Sequence, residues 1–254
     1  MSVPDLEFHR LPDIPLVGSG DDLVGMLSRA IAAAGLTLQQ GDILAIAQKI
    51  VSKSEGREVR LADVEAGEQA HALARECDKD PRLVQLILDE SLRIVRKRPG
   101  AIIVEHRNGI VLANAGIDRS NVDGEQDRVL LLPADPDGSA RRLRDALAAE
   151  SGVAPGILIT DSIGRPWRMG SLGVAIGCSG VLALADLRGR PDLFGRPMET
   201  SETSPADALA AAATLAMGEA AEGTPAVLIR GWPATGDDQP ASAILRPAAE
   251  DLFR

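Results

Sequence analysis

The chain has 254 residues, 45% of them apolar, 25% charged and only 2% aromatic, with no tyrosine. That length supports a core without disulfide or metal staples, and the core has to be built from Ala, Val, Leu and Ile. A formal net charge of −10 argues against nonspecific nucleic-acid binding, which runs on Lys and Arg against phosphates. Cys77 and Cys178 are too few for a secreted disulfide framework, so a reduced, cytoplasmic setting is expected. The opening "MSVPDLEFHRLPDIPLV" has acids and prolines instead of a basic patch and an apolar run, so no signal peptide is expected. No stretch approaches the roughly 20 apolar residues of a membrane span.

In chain order, "LEFHRLPDIPLV" starts extended and turns at Pro12 and Pro15. "DDLVGMLSRAIAAAG" places Leu23, Leu27, Ala30, Ile31 and Ala34 at helical spacing, and Gly35 closes the helix. Ile43–Ala47 reads as a short buried strand followed by a polar segment. If that segment is extended, Lys49, Val51 and Lys53 point the same way. Residues 63–90 read as helix with a break at Pro81. "AIIVEHRNGIVLANAG" is a predicted β-hairpin turning at Asn108-Gly109. "LLLPADPDGSARRLRDALAAE" passes from strand to helix, with Asp137 and Ser139 as the expected N-caps. "APGILITDSIGRPWRMG" is a strand running into polar residues. "SPADALAAAATLAMG" is a helix capped by Ser204, begun by Pro205 and ended by Gly218, and "AVLIRG" is a late strand. Irregular alternation and an antiparallel hairpin predict an α+β (mixed α/β) fold. A single domain over 1–254 is expected, with two lobes meeting near residues 63–100.

The common nucleotide motifs are absent. There is no P-loop, no dinucleotide fingerprint and no G-x-S-x-G elbow. Gly170, Gly173, Gly177 and Gly180 read as turns and close packing, and His9, His71 and His106 show no ligand spacing. Three acidic patches remain. "NAGIDRSN" is a turn by composition. "TDSIGRPWR" reads equally as a helix N-cap or as a carboxylate–hydroxyl pair of the kind that hard cations bind. Glu219 and Glu222 in "MGEAAEG" read as solvated acids when taken alone. Lys49 and Lys53 set cations against these acids, as phosphoryl transfer requires.

"GDILAIAQKIVSKSEGR", "GIVLANAGIDRSNV", "LLPADPDGSA", "ITDSIGRPWRMG" and "MGEAAEGTPAVLIRG" occur in that order. With them the chain resembles the coenzyme F420 gamma-glutamyl ligase family, from about "LPDIPLV" to "LRPAAEDLF". The resemblance implies an amide ligase. GTP would phosphorylate the phospholactyl carboxylate of coenzyme F420-0, and the amine of L-glutamate would attack the acyl phosphate. Further glutamates would follow through gamma linkages. Two divalent ions (Mg²⁺ or Mn²⁺) and stimulation by K⁺ belong to the same implication, as do a two-lobed, mixed-sheet fold and an intertwined homodimer.

Carried onto matching positions, Asp118 and Asp161 look like ligands of one metal, and Ser162 and Glu219 of the second. Lys53 joins Asp118 and Asp161 as a catalytic group. GTP contacts map to Ile14, Pro15, Leu16, Val17, Gln48, Lys53, Asn121, Met217, Gly218, Glu219, Ala220, Ala221, Glu222, Gly223 and Thr224. Arg165 or Arg168 would steady phosphate oxygens, on our own reading of the residues. The chain departs from the family where Ser162 stands for a common Thr and where Ser171 and Gly173 stand for Gln and Asp. "RPMETSETSPADA" is also less apolar than the family's segment, and no second, flavin-binding-like domain is expected after "EDLFR". These departures leave two alternatives open: a family ligase with another acyl acceptor or amine donor, or a GTP- and metal-binding protein without ligation.

Overall fold

A computed structural model of the chain describes residues 5–119, 127–233 and 238–252. The first part contains β1 (Glu7–Arg10), α1 (Leu23–Ala33), β2 (Ile43–Ala47), α2 (Gln48–Ser54), β3 (Glu58–Arg60), α3 (Glu68–Cys77) and α4 (Pro81–Asp89). Then come β4 (Ser91–Arg98), β5 (Ala101–His106), β6 (Val111–Ala113), β7 (Arg128–Leu130) and α5 (Pro136–Ser151). The last part contains β8 (Gly156–Arg165), β9 (Arg168–Ser179), β10 (Ala185–Asp186), β11 (Glu202–Thr203), α6 (Pro205–Met217) and β12 (Ala226–Arg230). The fold is α+β with mixed sheets, as the alternation of elements predicts.

The largest sheet has the order β1-β12-β2-β8-β9, and within it only β2 and β8 run parallel. Its central strands are apolar on both faces because both faces are covered. Leu44 and Ile46 of β2, Ile157 and Ile159 of β8, and Leu228 of β12 face one cluster with Leu27, Ile31, Leu143 and Leu147 of α1 and α5. The alternate residues Ile43, Ala45, Leu158, Val227 and Ile229 face Ala206, Leu209, Ala210 and Ala213 of α6. A period of two on each strand thus feeds two separate cores. A third cluster joins Leu73, Val84 and Ile87 of α3 and α4 to Ile102 and Val104 of β5 and Val129 of β7.

The ends of these elements follow local chemistry. Asp22 and Ser204 accept from the backbone N–H groups of Gly25 and Asp207, capping α1 and α6. Gly177 has no room for a side chain: a Cβ there would lie 2.5 Å from the Pro136 backbone, so the start of α5 packs directly on β9.

Four local expectations are corrected. The segment after β2 is helix α2, because Ile50 and Val51 bury into the first core and the Ser52 hydroxyl donates to Gln48 Oε1 at 2.9 Å. Lys49 and Lys53 still share a side, but as an i,i+4 pair and without Val51. The cap of α5 is Asp135, whose carboxylate accepts from Gly138 N at 2.9 Å. Asp137 instead accepts from Cys178 N and Ala241 N, and the Ser139 hydroxyl donates to Glu55 and to the Asp135 carbonyl. Third, Asp161 and Ser162 neither cap a helix nor end a strand: β8 continues to Arg165 and turns into β9. Pro81, finally, opens α4 as its first residue, with the break falling at left-handed Asp78.

Candidate active site

The site lies at the carboxyl ends of the parallel pair, where Ala47 of β2 registers with Thr160 of β8. In open α/β sheets this is where a ligand crevice forms, because the chains leave such strands in diverging directions. A cleft of about 580 Å³ opens there, within the range of about 300–1,000 Å³ that holds cofactor-sized ligands. A smaller cavity of about 290 Å³ beside the start of α5 offers one cation, Arg107, which is already paired with Glu90 at 2.5 Å.

Three chain-distant segments bring acids to the larger cleft. Asp161 comes from β8 and sits half-buried one residue beyond Thr160. Asp118 follows a turn in which Asn114, Ala115 and Gly116 all have φ between +52° and +66°. Ala115 is fully buried in that left-handed conformation, which costs an L-residue about 1–2 kcal/mol. The turn is held because Asn114 Oδ1 accepts from Ile102 N and Asp118 exchanges two 2.9 Å backbone bonds with Leu130. Glu219 follows α6, past Gly218 at φ +78°. The Glu222 carboxylate folds over Gly218, where a Cβ would meet it at 2.3 Å, and accepts from Ala220 N at 2.8 Å.

Cations come from α2. Lys49 Nζ lies 2.7 Å from Asp118 Oδ2. Lys53, one turn later, is 6% exposed and lines the same cleft. Burial pushes the Asp161 carboxyl up to about 6. The charges of Asp118 and Glu219 add to that rise, while the Ser162 N–H, 2.9 Å from Oδ1, and Lys49 oppose it.

The cleft is lined by Ile14, Pro15, Leu16, Val17, Gln48, Lys53, Asp118, Asp161, Ser162 and all of Met217–Thr224, which are the expected site residues. Asn121 lies outside the described residues. Arg165 and Arg168 do not line the cleft; they stand at the hairpin turn, where Arg165 donates to Gly170 O. The hairpin carries them away because β8 runs on past Asp161. Lys49, Thr160, Ser171 and Thr214 line the cleft as well. Lys49 is one of the two lysines that the sequence sets against the acids, and its four-residue spacing to Lys53 puts both on one side of α2. Thr214 carried no local signal.

The two departures on β9 have physical counterparts. The Ser171 hydroxyl donates to Glu219 Oε2 at 2.9 Å. A Cβ at Gly173 would lie 2.1 Å from Thr214 Oγ1, so an acid cannot stand at 173 beside this threonine.

The donor set is oxygen throughout, which suits a hard divalent cation. Among the described residues no three His, Cys, Asp or Glu side chains form a ready cage. Mg²⁺ sites commonly use one or two carboxylates and take phosphate oxygens or water for the rest, and the Asp118–Asp161 pair fits that pattern.

Fold and cleft together define an α+β protein with an acid- and lysine-lined pocket at the end of a parallel strand pair. The family model described as F420-0:Gamma-glutamyl ligase matches residues 13–231. Similar proteins include the coenzyme F420:L-glutamate ligases of Methanothermobacter thermautotrophicus and Methanopyrus kandleri. The first is 44% identical over 95% of this chain and 96% of its own length, the second 45% identical over 99% of each. The protein of that name from Methanocaldococcus jannaschii is 40% identical over 95% of this chain and 94% of its own. This chain belongs to the F420-0:gamma-glutamyl ligase family. No described helix is long and apolar enough to cross a membrane.

Proposed function

We propose that this protein is a GTP-dependent amide ligase that adds L-glutamate to the phospholactyl carboxylate of coenzyme F420-0 and repeats the addition through gamma linkages. The observation that carries the reading is the convergence of Asp118, Asp161, Glu219, Lys49 and Lys53 on one cleft of a chain from this family. A carboxylate is a poor electrophile, so a leaving group has to be installed first. The substrate carboxylate attacks the γ-phosphorus and the β–γ bridging P–O bond breaks, releasing GDP. The glutamate amine then attacks the acyl carbon, inorganic phosphate leaves, and the amine loses a proton.

Asp118 and Asp161 would hold one Mg²⁺ or Mn²⁺, and Ser162 and Glu219 a second. Bound there, the ions would neutralise phosphate oxygens and polarise the reacting phosphoryl group. Lys53, nearly dry in the cleft wall, adds positive charge that is little screened by water. Ile14–Val17 and Met217–Thr224 form two walls for the nucleotide and Gln48 adds a contact, while Asn121 is proposed as a contact from the family resemblance alone. K⁺ stimulation and a homodimer belong to the same proposal. Trp167, Met169, Leu193, Phe194 and Leu215 are each more than 80% exposed, apolar area that a dimer would have to cover if they lie on its seam. Buried, unbridged Cys77 and Cys178 fit the reducing cytoplasm, and burial pushes the Cys178 thiol up to about 12, which leaves it inert.

The test is mass spectrometry of coenzyme F420-0 incubated with the protein, GTP, Mn²⁺ and L-glutamate. The expected result is a ladder of added glutamyl units with GDP released. No mass gain and no GDP would overturn the reading. GDP release only with another carboxylate or amine would favour a different substrate pair, which Ser171 and Gly173 on the cleft's β9 side motivate.

A further inference from the structure

Lys49 stands in the first turn of α2 and holds Asp118 through a 2.7 Å ion pair. Its side chain is 31% exposed and that of Asp118 is 23% exposed, so the pair is partly open to the cleft it lines. Lys49 also acts on Asp161, whose charged neighbours include Asp118 and Glu219. The ammonium thus offsets the acid cluster at the oxygen a divalent ion would need. A carboxylate that takes up a 2+ ion no longer attracts a nearby ammonium; the two cations repel at that range. Lysine's charge sits on a flexible four-carbon stem and can move. Of the anionic groups that the proposed reaction brings to this cleft, the nucleotide's phosphate chain carries the most concentrated negative charge.

We propose that Lys49 is the exchangeable cation of the site: it neutralises Asp118 beforehand, yields it to the incoming divalent ion, and turns to the nucleotide phosphates. The proposal rests on the ligase reading, in which Asp118 is a metal ligand. It assigns to one residue two effects of opposite sign, competition with metal and attraction of nucleotide.

Calorimetric titration of the purified full chain with Mn²⁺ alone, and then with GTP at saturating Mn²⁺, separates them. Lys49→Gln is expected to bind Mn²⁺ alone about three- to fivefold more tightly than wild type, the size of a partly exposed ion pair. It is expected to bind GTP with Mn²⁺ about tenfold more weakly, as a charge-assisted phosphate contact is lost. Lys49→Arg, which keeps a cation beside Asp118, is expected to stay within about twofold of wild type for Mn²⁺ alone. If glutamine disturbs α2, Lys49→Ala repeats the test with a better helix former. A lysine that only props the helix would weaken both titrations, and one that only meets phosphate would leave Mn²⁺ alone unchanged; either result overturns the exchange. Wild type that binds no Mn²⁺, with or without GTP, overturns the metal-site reading together with it. Normal wild-type binding matched by the Lys49→Gln variant overturns the role of Lys49 alone.

Discussion

Glu90 and Asp161 are both carboxylates drawn out of water, at opposite ends of the electrostatic range in this molecule. Glu90, at the end of α4, sits between Arg57 at 2.9 Å, Arg107 at 2.5 Å and the His106 ring at 3.4 Å. Burial by itself would raise its carboxyl, but His106, Arg57 and Arg107 draw it down to about 2. Burial raises the Asp161 carboxyl too, and its company is the opposite. Asp118 and Glu219 add to the rise that burial starts, and the carboxyl reaches about 6 despite Lys49 and the Ser162 N–H. One acid is neutralised wholly from within and ties α4 to the chain before β3 and after β5. The other is left short of positive charge at the mouth of a cleft. Structural ion pairs are complete; a site built for a charged ligand is left to be completed by it.

The sharpest way to break this contrast is Asp161→Asn. Turnover is expected to fall by at least about 10²–10³-fold, with the melting temperature unchanged or raised because a like-charged neighbour of Asp118 and Glu219 has been removed. Coupled GDP-release assays and thermal melts measure the two. Near-wild-type rates would sink the assignment.

Glu90→Gln is the converse test. It strands Arg57 beside a neutral group, so about 2–4 kcal/mol of stability should go, with the folded protein still active. The pH sign follows from the lowered carboxyl. Its stabilisation is fully present above 4.5, the ordinary value, and is lost as pH falls toward 2. Urea melts of wild type and variant should therefore converge over that window. A gap that stays constant down to pH 2 would show that the carboxylate charge is not what matters.

The smallest effect is expected at Asp135, an acid whose close partner is the Gly138 N–H, with Arg141 no nearer than 3.9 Å. Asp135→Ala should cost about 1 kcal/mol as the α5 cap is lost, and leave turnover untouched. A change in turnover would tie this end of α5 to the site and weaken the separation drawn above.

Much of the fold was readable locally. Leu23, Leu27, Ala30 and Ile31 are the buried face of α1, β2 spans Ile43–Ala47, the hairpin turns at Asn108-Gly109, and Ser204, Pro205 and Gly218 bound α6 as their chemistry requires. The misses have physical causes. Gln48–Ser54 has too few residues for helical periodicity to show. Asp135, Asp137 and Ser139 are all competent caps, and the choice depends on distant donors at Cys178 and Ala241. Strand β4, "SLRIVRKR", reads as charged and irregular because it is stabilised by pairing with β5 and by ion pairs such as Arg93–Glu105, not by its own pattern.

Residue type, spacing and order alone determined most of the element types, the α+β class and the family resemblance, because each depends on neighbours a few positions apart. Tertiary structure alone decided which acids meet. Asp161 is carried by β8 beside β2, Asp118 is placed by its bridge to Leu130, Glu219 by the end of α6, and Lys49 by a helix the local pattern hides. Those meetings depend on strand pairing and packing between segments about 40 to 170 residues apart, and no short stretch of chain encodes them.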